Sequence, residues 1–275
     1  MKKKDISVII PLYNKGMIIE RTVKSVLEQT YPNFELIIVD DGATDNSVEV
    51  VQHIKDERIR LIQQKNAGPS AARNTGVRNA QTEWIVFLDA DDEFLPDALE
   101  HFDELRNNFK DVDIYNCRSN IRTGDKLTPT YHPLEGYVKN PLKECYFCKC
   151  MPGAGFSMYR KEYISQYPYD ERLRRFEDAE LLIRLLPKAR VFSSKKIVQV
   201  HDINYAQASA PRKDINEDYS GHLTMKGKPF WGKMCVYRTF LENREAYKDE
   251  MHRLYPSWYC RYDLLLLYKI LKHFK

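Results

Sequence analysis

From Ile6 to Cys117 the chain alternates short apolar runs with longer stretches of helical periodicity, and this alternation restricts the fold more than any other feature. The apolar runs fall at residues 6–11, 35–39, 59–63, 84–88 and 112–117. Between them, residues 18–29 place Ile18, Ile19, Thr22, Val23, Val26 and Leu27 on one face. Further helices are expected at residues 47–54, 69–80 and 96–109, with Pro69 suited to a first helical turn. Strands that are apolar throughout need cover on both faces. The pattern therefore predicts an α/β fold: a mostly parallel sheet flanked by helices. In such sheets ligands bind beyond the carboxyl ends of the strands.

The rest of the chain is less regular. Residues 119–155 are rich in Tyr, Pro and Cys and predict irregular structure with short strands. A helix is expected at 177–186, stopped by Pro187, and strands at 189–192 and 197–201. Residues 204–228 are polar and read as a mobile loop, within which Arg212 and Lys213 could close over a bound anion; an ordinary exposed connection is the equal alternative. Residues 230–275 read as helical and basic. An aromatic content of 12% supplies a core and excludes disorder throughout. A net charge of +4 is too mild to argue for nucleic acid. No apolar run approaches the roughly 20 residues of a membrane span. The basic start at Met1–Asp5 imitates a signal peptide, but Pro11 and Asn14 interrupt the apolar run and no small-residue cleavage site follows, so a cytoplasmic location is expected. The motif Cys145-x-x-Cys148-x-Cys150 leaves two readings, zinc or packing by small thiols. Packing is favoured, because a structural zinc usually needs four ligands and no second pair follows.

Several clusters carry chemistry. Asp89-x-Asp91-Asp92 follows a buried strand, where a divalent cation would relieve the repulsion among carboxylates; an acidic turn capping the next helix is the plainer alternative. Asp41 ends the second strand and could accept a hydrogen bond from a base or ribose, and Tyr13, after Pro11, could stack on a base. Turn chemistry and a rim tyrosine are the alternatives. Arg73 follows a Gly-containing loop that runs into a helix, a place that attracts anions. Neither a Walker loop nor G-x-G-x-x-G is present. Glu177-Asp178 opens a helix after the basic stretch Arg172–Arg175; it is either a base in a cleft or dipole-complementing acid. His201 ends a strand and is either structural or a metal ligand.

Together these segments resemble the family 2 glycosyltransferases, which have the GT-A fold with a Rossmann-like nucleotide-binding half. The matching pieces are Val8-Ile-Ile-Pro-Leu-Tyr-Asn14, Val39-Asp-Asp-Gly-Ala-Thr-Asp45, residues 65–76 (KNAGPSAARNTG) and Phe87-Leu-Asp-Ala-Asp-Asp92. The resemblance implies an inverting enzyme that moves a hexosyl or N-acetylhexosaminyl group from a nucleotide-diphosphate sugar, UDP above others, to a saccharide or lipid-linked acceptor in surface polysaccharide synthesis. Pro11, Tyr13, Asp41 and Arg73 would line the nucleotide site. Asp89 would face the ribose or sugar, Asp91 and His201 would hold Mn²⁺ or Mg²⁺, Asp178 would be the base, and Glu177 would position it or the acceptor. Residues 1–215 would form the catalytic domain and 216–275 a helical region. A non-catalytic nucleotide-sugar-binding subunit and a sugar nucleotidyltransferase are the competing functions. Trp258–Phe274, apolar and basic, predicts either a docked helix or loose contact with the inner face of the cell membrane.

Overall fold

The computed structural model describes residues 4–130, 134–205 and 214–272. In chain order the first half comprises β1 (Ile6–Leu12), α1 (Ile19–Leu27), β2 (Phe34–Asp40), α2 (Ser47–His53), β3 (Ile59–Gln63), α3 (Pro69–Asn79), β4 (Trp84–Phe87), β5 (Glu93–Phe94) and α4 (Ala98–Asn108). The second comprises β6 (Ile114–Thr123), β7 (Lys126–Pro129), β8 (Gly136–Val138), α5 (Pro141–Tyr146), β9 (Ser157–Arg160), α6 (Lys161–Ile164), α7 (Glu177–Leu185), β10 (Val191–Asp202), α8 (Phe230–Asn243), α9 (Lys248–Leu254) and α10 (Tyr262–Lys272).

One sheet runs through the molecule in the order β3-β2-β1-β4-β9-β6-β10-β5, with β7 on β6 and β8 on β10. The first four strands are parallel, as the alternation predicts. Side chains of β1 alternate between two cores. Ile6, Val8, Ile10 and Leu12 meet Val23 of α1 and Phe102 of α4, while Ile9 meets Ala72 and Val77 of α3. Each such buried aliphatic side chain contributes about 1.5–3 kcal/mol. Helix α3 lies so close to β1 that a Cβ on Gly76 would sit 2.3 Å from Cγ2 of Ile9. This contact seats the helix that carries Arg73 against the strand that ends beside Tyr13.

Beyond β4 the sheet changes character. β9 is antiparallel to both its neighbours, β4 and β6, and β10 then returns to a parallel pairing with β6. The expected strands at 189–192 and 197–201 are one strand, β10, whose register on β6 shifts between Ser193 and Ile197; the polar run Ser193–Lys196 bulges rather than breaks the ladder. Within residues 119–155, β6 continues to Thr123 and turns back into β7 through Gly124 at φ 56°. The segment 204–228, expected as a mobile loop, carries core residues: Ile215, Tyr219 and Leu223 are buried in a third core with Val236, Phe240 and Met251, against Leu173 and Ile183. Arg212 and Lys213 lie outside the described residues.

Candidate active site

The loops that follow β1, β2 and β4 and the start of α3 enclose a cavity of about 300 Å³. Pro11, Tyr13, Asp41, Arg73, Asp89 and Asp91 all line it, as do Lys15 and Arg174. Tyr13 stands at the rim, 41% exposed. Asp41 is buried and holds the loop that leads into α3. Its Oδ1 accepts from Gln64 Nε2 (2.8 Å) and the Ala67 amide (2.9 Å), and its Oδ2 from the Gly68 amide (2.8 Å). Oδ2 keeps a lone pair for a further donor. Gly68, at φ 92°, makes the turn into Pro69 that an L side chain would strain.

Arg73 is buried and its guanidinium forks between two carboxylates, Asp89 Oδ1 and Glu177 Oε1, each at 2.9 Å. Burial opposes its charge, but Asp89, Asp178 and Glu177 outweigh that and hold its pKa well above the ordinary value. Asp91 Oδ2 accepts from Lys15 Nζ at 2.7 Å. Asp92 is not in the wall of this cavity but lines the larger one beside it, and is bound by Gln199 Nε2, the Asp202 amide (3.0 Å) and His201 Nδ1 (2.9 Å). Burial pushes the Asp92 carboxyl up to about 6, against the pull of His201. The bond to Asp92 raises His201 to about 9.

A second cavity, of about 580 Å³, adjoins the first, and Asp89 belongs to the walls of both. Glu177, Asp178 and His201 line it, together with apolar residues that include Met151, Pro152 and Phe156. The Tyr169 hydroxyl bonds to Asp178. Burial, then the like charge of Glu177, push Asp178 from 3.8 to about 7, where a carboxylate can take a proton at neutral pH. Directly before this pair, Phe176 adopts a left-handed conformation (φ 55°, ψ 23°), which costs a non-glycine residue roughly 1–2 kcal/mol.

Could these residues hold a divalent cation? Among the described residues no three His, Cys, Asp or Glu side chains cluster closely enough to form a cage. The carboxylates nevertheless fit a hard cation that draws most of its ligands from phosphate and water. Asp91 already binds a cationic group, the Lys15 ammonium, at the cavity wall. Asp89 and Asp91 each have one oxygen in these ion pairs.

The nine residues to which the resemblance gives site roles thus come together around two adjoining cavities. Lys15, Tyr169 and Arg174 were missed as individuals. Lys15 follows the Tyr13-Asn14 motif and Arg174 belongs to the basic run before Glu177, so charge at a strand end was a usable signal for both. Nothing local marks Tyr169. The cysteines part ways: the free thiols of Cys145 and Cys235 share a hydrogen bond, Cys148 Sγ accepts from Arg238 Nη1 (3.1 Å), and Cys150 is buried.

Comparison with known proteins adds to this geometry. The profile of Glycosyl transferase family 2 matches residues 7–167. An uncharacterised glycosyltransferase of Rickettsia conorii is 50% identical over 96 residues, 34% of this chain and 16% of that protein. The putative teichuronic acid biosynthesis glycosyltransferase TuaG of Bacillus subtilis is 44% identical over 98 residues, 34% of this chain and 39% of that protein. Under half of either relative's length is therefore matched. In shape the chain is similar to S. aureus TarS 1-349, solved in complex with UDP-GlcNAc. The TM-score is 0.72 over 88% of this chain and 73% of that one, at 19% identity.

Proposed function

The chain belongs to Glycosyl transferase family 2 and has the GT-A fold, and on that premise we propose that it transfers a sugar, with inversion, from a nucleotide-diphosphate sugar to a hydroxyl of a saccharide or lipid-linked acceptor. One observation carries this proposal: two cavities meet at Asp89, one lined by Lys15, Arg73 and Arg174, the other by a carboxyl poised near neutrality. The donor occupies the first. Tyr13 stacks on its base, Asp41 offers Oδ2 to the base or ribose, and the cationic groups face the diphosphate. The acceptor occupies the second. Asp178 takes the proton of the attacking hydroxyl, and the departing diphosphate leaves from the opposite face, so a single displacement inverts the anomeric carbon. Arg73 keeps Asp89 and Glu177 in register across the junction.

Asp91 would hold Mn²⁺ or Mg²⁺, and His201 would join it only by giving up the proton that Asp92 now stabilises. When bound, such an ion supplies positive charge for the leaving diphosphate. A UDP carrier is supported by the likeness to TarS, whose structure holds UDP-GlcNAc, which also favours an N-acetylhexosaminyl group. A role in surface polysaccharide synthesis is supported by the likeness to TuaG. Residues 1–215 form the transferase unit and 216–275 its helical extension. No helix among the described residues is long and apolar enough to cross a membrane. In α10, Leu266 and Ile270 are exposed near Lys269 and Lys272, which supports loose contact with an anionic inner membrane face.

The test is a screen of UDP-, GDP- and dTDP-sugars for hydrolysis and transfer with Mn²⁺ present. Turnover of one nucleotide class is expected. Failure of every donor to be turned over or bound would overturn the proposal.

A further inference from the structure

We infer that the ring of Phe176 is the platform on which a pyranose ring of the acceptor rests, bringing its hydroxyl to Asp178. This inference depends on the transferase proposal above.

Phe176 is 36% exposed, and it belongs to the wall of the larger cavity. The Arg175 guanidinium lies 5.7 Å from the ring centroid, so a sugar would take the face that Arg175 leaves open. An aromatic ring left partly bare in a left-handed conformation is a double cost, because glycine or asparagine takes that backbone more cheaply. The surrounding chain enforces it. The Arg174 amide donates to the Glu217 carbonyl (2.8 Å), and the Tyr219 amide donates to the Arg175 carbonyl (3.2 Å). Asp218, fully buried, bridges the backbone of Arg175. The Asp218 carboxylate in turn accepts from the Tyr247 hydroxyl (3.0 Å) and the Ser220 amide (2.8 Å). These anchors all lie beyond the matched residues 7–167, so the C-terminal part of the chain sets the pose of the ring next to the base.

The chemistry of the cavity points to a sugar ring. A pyranose has an apolar C–H face and a rim of hydroxyls. An aromatic face suits the former, because its negative quadrupole attracts polarised C–H groups. Met151, Pro152, Ala154 and Phe156 add apolar lining to the same cavity, while Asp178, Ser119 and Thr130 offer polar atoms for the rim. A volume of about 580 Å³ accommodates more than one ring.

The test is saturation-transfer NMR on the full chain with UDP bound. Methyl β-D-glucopyranoside, methyl β-D-galactopyranoside and N-acetylglucosamine serve as probes, with mannitol as the open-chain control. At least one pyranose should receive saturation and mannitol none. Phe176→Ala should weaken that probe about tenfold, the worth of a good aromatic contact, and Phe176→Tyr should restore it. Phe176→Gly, which relieves the left-handed backbone, should lose the probe while melting no lower than the parent. A binding role predicts that combination and a packing role does not. Equal probe binding by the parent and Phe176→Ala, or saturation of no pyranose, overturns the inference. Failure of the transferase proposal itself would show separately, as a parent chain that binds no nucleotide.

Discussion

The two cavities are neighbours, yet they are built from different kinds of chain. The smaller is made from strand ends of a parallel sheet and the helix start that follows, and it sets Lys15, Asp41, Arg73, Asp89, Asp91 and Arg174 in its walls. The larger gathers short pieces between Asp89 and His201, drawn from strand edges, an irregular stretch and the start of α7, and much of its lining is apolar. The contrast follows from what each must bind. A diphosphate is recognised by charge, which needs a few groups at fixed positions on rigid elements. A sugar acceptor is recognised by a shaped surface, which must be collected from wherever the fold leaves room.

Substitutions on the two sides should therefore fail in different ways. The largest effect is expected on the donor side. Asp91→Asn, or EDTA treatment of the parent, should reduce transfer to background and weaken metal-dependent UDP binding while the fold persists by circular dichroism. Full activity in EDTA would break the charge-based account of that cavity.

Next comes the base. Asp178→Asn should lower kcat by about 10²–10⁴-fold and leave UDP affinity near that of the parent. In the parent, kcat/KM should rise with pH through about 7, since the base must be ionised. The variant should lack that limb. The same raised pKa means that the folded chain retains a proton the unfolded chain releases. Stability contributed by Asp178 is then present below the unfolded value and lost as pH climbs through about 7. Asp178→Asn should accordingly melt higher than the parent at pH 8, a gain in stability paired with a loss of rate.

A smaller effect probes the scaffold under the donor cavity. Gly76→Ala forces a Cβ against Ile9 and should lower stability to urea by about 1–3 kcal/mol, as overpacking of a close-packed core does. An unchanged midpoint would show that α3 can slide on β1. The smallest effect concerns the far end. Removal of residues 256–275 should shift a modest fraction of protein from anionic liposomes to the supernatant. Equal partitioning would assign α10 to the third core alone, where Leu264 and Leu265 already pack.

The donor side was legible in the sequence because its signals are local. An apolar run ending in Asp40-Asp41 or Asp89-x-Asp91-Asp92 announces a strand end with charge on it, and Pro69 announces the helix that presents Arg73. The acceptor side was only partly legible. Glu177-Asp178 stood out as an acidic pair, but its partner Tyr169 and the clamp through Asp218 and Tyr247 depend on contacts between distant segments. β9 went unrecognised for a related reason. Four residues, Ser157–Arg160, are too few to display a period, and they become a strand only because β4 and β6 offer unpaired edges on either side. The bulge in β10 similarly disguised one strand as two.

The insertion of β9 has a consequence for how the chain is made. β4 and β6 are never direct partners, so a chain emerging from the ribosome cannot close its sheet until Arg160 is free to enter the gap. Until then the parallel half carries an open edge at β4, the kind of edge on which nascent chains pair wrongly with one another. Synthesis of the segment from Ile114 to Arg160 is therefore an interval in which the β4 edge is open to wrong pairing, and the β6 edge stays open until β10 follows. Slowing translation between Ile114 and Asp202 should reduce the soluble yield more than the same treatment applied after residue 202.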